Sequence, residues 1–273
     1  MSEPLSVPPS AGSGPAAVTL ERQGHVGIAT IRRADAMNAV NGAVSTGLGE
    51  ALAEAEADEQ VRVLVVTGEG RAFCAGADLK ALAKGEDIMA AGHPEWGFAG
   101  YVRHFVSMPT IAAVNGFALG GGTEIVLASD LAVIDAEAKL GLPEVKRGLL
   151  AAAGGVIRAQ RQVPLKLALE LALTGDPIGA EQALAWGLVN RVAPAGTTLE
   201  VALELAGRIA ANAPLSVRET KRVMHETAGL GSDWGDEAWQ VNNRAVGKVL
   251  RSEDFREGTR AFAEKRTPEW KGR

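Results

Sequence analysis

Three consecutive glycines, Gly120-Gly121-Gly122, followed by Thr123-Glu124 and the apolar run Ile125-Val126-Leu127-Ala128, constrain this chain more than any other segment. Glycine weakens a helix by roughly 1 kcal/mol per position relative to alanine, so three in a row need a reason. They come just after Thr110-Ile111-Ala112-Ala113-Val114, which reads as a buried strand ended by Asn115-Gly116. The pattern predicts a strand, a tight turn and a helix near Thr123 to Ala128, with free N–H groups and the positive end of the helix dipole facing whatever sits above the turn. N–H groups so placed can hold a developing oxyanion. Glu124 lies in sequence that reads as core, where burial raises a carboxyl pKa. A first-turn carboxylate that merely compensates the dipole is the plainer reading, and locally both stand.

Around this segment, strands and helices alternate. Val18 to Glu21 and Val26 to Ile31 read as an opening hairpin around Arg22-Gln23-Gly24. Asn41 to Asp58 spaces Val44, Leu48, Leu52 and Ala55 at helical intervals. Val61 to Thr67, ended by Gly68, reads as a buried strand, Leu131 to Ile134 as another, and Gly179 to Val192 as a helix-strand pair. The alternation predicts a layered α/β core over residues 17–194. Beyond Pro194 the pattern is helical only, with candidates at Leu199 to Ala211, Leu215 to Thr227, Trp234 to Arg251 and Glu253 to Lys265, so residues 195–273 are expected to form a C-terminal helical region. Residues 1–16, rich in Pro, Ser, Gly and Ala, lack the basic start and apolar stretch of a secretory signal and are expected to be a disordered tail.

Two further turns carry chemistry-bearing residues. Gly70-Arg71-Ala72-Phe73-Cys74-Ala75-Gly76-Ala77-Asp78-Leu79-Lys80 follows the strand at 61 to 67, and its small residues would let a ligand reach backbone N–H groups. The same segment also suits an ordinary strand-to-helix turn with Asp78 as the helix cap. Leu140-Gly141-Leu142-Pro143-Glu144 reads as a short extended piece ending at a carboxylate, with Pro143 fixing the backbone before Glu144. A solvated Glu144 paired with Lys146 or Arg147 is the simpler alternative.

Composition narrows the partners. A net charge of −5 with scattered basic residues lacks the Lys/Arg stripe of a phosphate-backbone binder, so nucleic acid is not expected. The one cysteine, Cys74, excludes an internal disulfide, and His25, His93, His104 and His225 form no metal-ligand spacing, so no metal site is expected. No run of about eighteen apolar residues suggests a membrane span. A reducing, cytoplasmic setting is the expectation.

Taken together, the three turn motifs resemble the enoyl-CoA hydratase/isomerase (crotonase) family from about Val18 to the C-terminus. Ala36-Met37-Asn38-Ala39, Leu173-Thr174-Gly175, Ala183 to Val192 and the stretch from Glu257-Gly258 to Arg266 extend the match. The resemblance implies a spiral of ββα units with a C-terminal helical trimerisation region, assembled as a trimer or a dimer of trimers. It implies an acyl-CoA thioester substrate whose carbonyl oxygen meets the backbone N–H groups of Ala77 and Gly121. It implies that Ala75, Ala77, Asp78, Leu79, Lys80 and Gly121 border the CoA, with Lys265 or Arg266 available for its phosphates. By motif position Glu124 handles the water and Glu144 delivers a proton to C2. No separate cofactor is implied, since coenzyme A enters with the substrate. Ala34 and Ala151 replace prolines common in the family, and Ala81 to Met108, with Trp96, Phe98, Tyr101 and Phe105, is expected to line or cover the acyl pocket.

Retention of both glutamates points to hydration of a 2-enoyl-CoA, as in fatty-acid β-oxidation and lipid metabolism, rather than isomerisation of a 3-enoyl-CoA. Dehydration of a carnitinyl-CoA uses the same chemistry in reverse. An RNA-binding crotonase homologue is the rival from another class, and the acidic net charge weighs against it.

Overall fold

A computed structural model describes residues 16–273, so the tail expected at residues 1–16 lies outside the described residues except for Ala16. The chain opens with the hairpin β1 (Val18–Gln23) and β2 (Val26–Ile31), turning at Gly24-His25 where Gly24 takes a left-handed φ of 60°. Then come α1 (Gly42–Ala57), β3 (Val63–Gly68), β4 (Ala72–Cys74) and α2 (Leu79–Ala83). After a long strap come β5 (Thr110–Val114), β6 (Phe117–Leu119), α3 (Gly121–Ala128), β7 (Leu131–Asp135) and β8 (Lys139–Gly141). The core closes with α4 (Gly155–Gln162), α5 (Leu165–Thr174), β9 (Ile178–Gly179), α6 (Ala180–Trp186) and β10 (Arg191–Ala193), followed by α7 (Thr198–Ala210), α8 (Pro214–Thr227), α9 (Asp236–Val249) and α10 (Glu253–Glu264).

The strands form two sheets. Six make a sheet of order β1-β2-β3-β5-β7-β10, parallel apart from the opening hairpin. Four short strands make a second sheet of order β4-β6-β8-β9, in which β4, β6 and β8 are parallel neighbours. Each turn of the chain therefore runs one strand in the large sheet, bends through two or three residues, runs three residues in the small sheet and returns through helical or irregular chain. This is a spiral of ββα units. The bends are stitched to one another: Asn115 Nδ2 donates to Gly70 O at 2.8 Å, and its Oδ1 accepts from the Gly68 amide at 3.2 Å. A Cβ at Gly116 would stand 2.1 Å from Arg71 O, so only glycine fits where two bends cross.

Period-two alternation along β3 divides the apolar residues between two cores. Leu64 and Val66 join Val44, Leu48 and Leu52 of α1 on one face, whereas Val63 and Val65 meet Ala202, Ala206 and Ala210 of α7 on the other. The expected division at residue 194 thus falls just before a helix that completes the second core. Beyond it, α8 and α9 pack on each other, and α8 is tied back by Lys221 and His225, both against Asp130. Among the described residues no helix is long and apolar enough to cross a membrane.

Asn38 shows how a buried polar side chain shapes the entry to the site. It is fully buried with a left-handed φ of 56°. Its amide donates to Glu69 O and Ala72 O at 2.9 and 2.7 Å, and its Oδ1 accepts from the Arg33 amide at 2.9 Å. Truncating it leaves three backbone groups without this partner, the Ala72 carbonyl among them fully buried. Asn38→Ala is expected to destabilise the fold by about 3 kcal/mol, read from the urea midpoint at unchanged m-value.

Candidate active site

In a parallel sheet, the chain leaving the C-terminal ends of neighbouring strands converges on one edge, where open α/β sheets place their ligands. Here that edge belongs to the small sheet. The turns after β4, β6 and β8 are Ala75–Ala77, Gly120–Gly121 and Pro143–Glu144, the three motifs singled out in the sequence. They border a cavity of about 740 Å³ lined by Ala75, Gly76, Ala77, Leu79, Gly120, Gly121, Glu124 and Glu144.

Each of the three glycines before Glu124 has its own physical reason. Gly120 adopts φ 55° and ψ −122°, and a Cβ on it would stand 3.0 Å from Glu144 Oε1. At Gly121 a Cβ would meet the Phe98 ring at 2.4 Å, and at Gly122 it would meet Cys74 O at 2.0 Å. Gly76, with φ 93°, brings the first turn against the second: its Cβ would lie 3.1 Å from the Gly121 nitrogen. Thr123 then stitches the second turn to the third, donating to Ala118 O and Gly141 O and accepting from the Gly141 amide.

The turn geometry leaves two N–H groups open. On either side of Ala77, Val40 donates to Gly76 O and the Asp78 amide donates to Val40 O. Among the described residues nothing accepts from the Ala77 or Gly121 N–H.

Glu124 is buried, 3% exposed, and its Oε1 accepts from the Gly155 amide at 2.8 Å at the start of α4. Burial pushes its carboxyl up to about 7; Glu144 adds to that, while the Gly155 and Ala153 amides and Arg158 oppose it. Glu144 is half-buried, sits in a 3-10 turn (Pro143–Arg147) rather than at the end of a strand, and is likewise raised by burial. Its Oε2 is buried without a hydrogen-bond partner among the described residues. The simpler reading of Glu144 does not hold for Lys146, which pairs with Asp176 instead.

Some expected site residues fall elsewhere. Asp78 caps α2, accepting from the Lys80 and Ala81 amides at 3.0 and 3.2 Å, and pairs with Arg33 at 3.1 Å. Neither it nor the exposed Lys80 lines the cavity, and Asp78 serves as the helix cap that the turn allowed. Arg266 is engaged by Glu257 and Glu264, and Lys265 is the C-cap of α10. Of the four aromatic residues in the strap, only Phe98 lines the cavity. Trp96 stacks between His93 and His104, Tyr101 is buried against Ser129, and Phe105 lies over Lys221.

The cations that do reach the cavity are Arg103, Arg147, Arg158 and Arg161. Sequence reading missed them because scattered arginines carry no periodic signal. A spacing clue existed for Arg158: on a helix beginning at Gly155 it lies one turn in, on the face of the Gly155 amide.

The model of the enoyl-CoA hydratase/isomerase family matches residues 21–273. The carnitinyl-CoA dehydratase of Escherichia coli K12 is 41% identical over 260 residues, covering 93% of this chain and 98% of its own. A crystal structure of an enoyl-CoA hydratase from Mycobacterium tuberculosis H37Rv superposes with a TM-score of 0.90 at 43% identity, covering 95% of this chain and all of the other. A carnitinyl-CoA hydratase from Mycobacterium avium is 54% identical over the same shares, with a TM-score of 0.77. The two-sheet spiral is the crotonase fold, and the chain belongs to the enoyl-CoA hydratase/isomerase family, whose enzymes act on CoA thioesters.

Proposed function

We propose that this protein is an enoyl-CoA hydratase, adding water reversibly and with syn geometry across C2–C3 of a 2-enoyl-CoA to give a 3-hydroxyacyl-CoA. The observation that carries the reading is the convergence, on one cavity, of two carboxyls raised by burial and two unpartnered N–H groups from adjacent strand ends. The thioester oxygen accepts from the Ala77 and Gly121 N–H groups, which stabilise the enolate-like charge as it forms. The water oxygen bonds to C3 while its proton passes to ionised Glu124. Protonated Glu144 gives its proton to C2, and exchange with solvent restores the pair. One carboxyl must be ionised and the other protonated; burial raises both titrations and the two carboxyls interact, so a shared proton belongs to the pair rather than to either residue alone. The exposed apolar side chains of the C-terminal helices, among them Met224, Trp239 and Phe262, support burial against further copies of the chain, for which the family resemblance implies a trimer.

A second reading, dehydration of a carnitinyl-CoA, is favoured by the names of the relatives. The proton steps are the same in reverse, and the difference lies in a trimethylammonium group on the acyl chain. Such a cation is held best by aromatic faces. Among the described residues the cavity offers one aromatic ring, Phe98, and four arginines, which supports an uncharged acyl group. Hydration of crotonyl-CoA, followed by loss of its enone absorbance, is expected to exceed turnover of the trimethylammonium analogue by at least about tenfold in kcat/KM. Preference for the charged substrate, or turnover of 3-enoyl-CoA alone, would reverse the assignment.

A further inference from the structure

We infer that Arg158 is a positioning residue that latches the strap 86–108 onto the start of α4, whose first amide holds Glu124, and sets its charge on the wall of the cavity that Glu124 also lines; this rests on the proposed role of Glu124 as the base. Arg158 lies in the first turn of α4, where a cation opposes the helix dipole, so its placement calls for an explanation. Its side chain folds back over the helix start. One Nη donates to Val102 O in the strap and the other to Ala153 O at 3.4 Å. A Cβ on Gly154 would stand 2.1 Å from Arg158 Nη1, so the adjacent glycine, with φ 106°, makes room for the guanidinium. Among the described residues it forms no ion pair; it lines the same cavity as Glu124, and each of the two charges favours the ionised form of the other.

The strap is secured on its outer side by α1. The Trp96 ring fills the space over Gly49, Ser45 Oγ donates to Ile88 O, and the Ala91 amide donates to Thr46 Oγ1. On its inner side, where Phe98 and Val102 border the cavity, the Arg158 hydrogen bond ties strap to α4. One guanidinium therefore joins the wall that covers the substrate to the helix whose first amide holds Glu124.

The groups facing Glu124 are few. Glu144 from the 3-10 turn raises its pKa, Arg158 from α4 lowers it, and Cys74 behind α3 is a neutral thiol pushed up to about 12 by burial. Tyr101 and Arg161 act on the Arg158 charge, and the Tyr101 hydroxyl is also pushed up to about 12 by burial. Arg158 is thus the one cation in this set that opposes protonation of Glu124.

The test uses Arg158→Met and Arg158→Lys in the full chain. In the parent, the acidic limb of kcat/KM for crotonyl-CoA is expected near pH 7, because the free enzyme needs ionised Glu124. In the Met variant that limb should move to higher pH, so that activity falls further at pH 6 than at pH 8.5 relative to the parent. The Lys variant keeps the charge and should hold the limb, with a raised KM from the loosened strap. A Met limb superimposable on the parent's, or an equal shift in the Lys variant, overturns the electrostatic part. Trypsin cleavage after Arg103, which needs no activity, reads the latch: the Met variant should be cut about tenfold faster under native conditions, and an unchanged rate overturns it. A parent that hydrates nothing would sink the proposed function while leaving the protease result to decide the latch.

Discussion

Glu124→Gln and Glu144→Gln are each expected to lower crotonyl-CoA hydration by a factor of about 10² or more, because each removes one of the two proton carriers. That loss corresponds to roughly 2.7 kcal/mol of transition-state stabilisation. Combining the two should cost far less than the product of the single effects, since the pair works as a unit. The Gln variants preserve size and, for Glu124, an oxygen that can still accept from the Gly155 amide.

Stability separates this result from simple misfolding, and the sign is worked out from the raised pKa. The Glu124 carboxyl stands at about 7 in the fold against an ordinary value of 4.5, so the folded chain holds this proton more tightly than the unfolded one. Its contribution is therefore most favourable below pH 4.5 and is lost as pH rises through 7, by roughly 3 kcal/mol at most. A glutamine has no charge to bury. Glu124→Gln should thus match the parent near pH 5 and unfold at higher temperature than the parent at pH 8, while remaining inactive. A variant within about tenfold of parental activity, or one that melts earlier at pH 8, contradicts the assignment of Glu124 as a buried base.

How much of this was legible in the sequence follows from element length and from the kind of contact involved. The strands β3, β5 and β7 were readable because runs of four apolar residues bounded by polar or turn residues mark buried strands, and α1 because its apolar residues recur at helical intervals; β5 falls at Thr110–Val114 as expected. The small sheet was not, since β4, β6 and β8 are three residues each and no periodicity can emerge from three. Yet that sheet creates the site, because its parallel strand ends bring residues 77, 121 and 144 to one edge. The glutamates stood out because a charge in apolar sequence is rare. Asp78 was legible as the cap of α2, because a short acidic side chain just before a helix accepts from its first free amides. The long-range clamp of Arg158 on Val102 spans fifty-six residues, and no local pattern encodes such a contact.

Gly122→Ala carries the largest expected effect on the fold, and a second glycine shows why. Inside a helix alanine is ordinarily better than glycine by up to about 1 kcal/mol. Gly207, in α7, has nothing within 4 Å of its would-be Cβ, so Gly207→Ala should stabilise the protein by about that amount. Gly122 sits in α3 with no left-handed φ, so propensity alone predicts the same gain. Packing reverses the sign. The new methyl would lie 2.0 Å from Cys74 O and 3.1 Å from Cys74 Cβ, and a backbone carbonyl cannot swing aside as a side-chain tip can. Relief requires α3 to move off β4, which also separates the Gly121 N–H from the Ala77 N–H. The expected cost is about 3 kcal/mol or more, or a melting temperature lower by about 6–12 °C, together with loss of activity in the fraction still folded. Because the two alanines share one chemical change and differ only in what stands over the Cβ, opposite shifts in melting temperature would show that close approach of α3 to β4 excludes every side chain there. Equal shifts would mean that α3 does not lie where the cavity requires it.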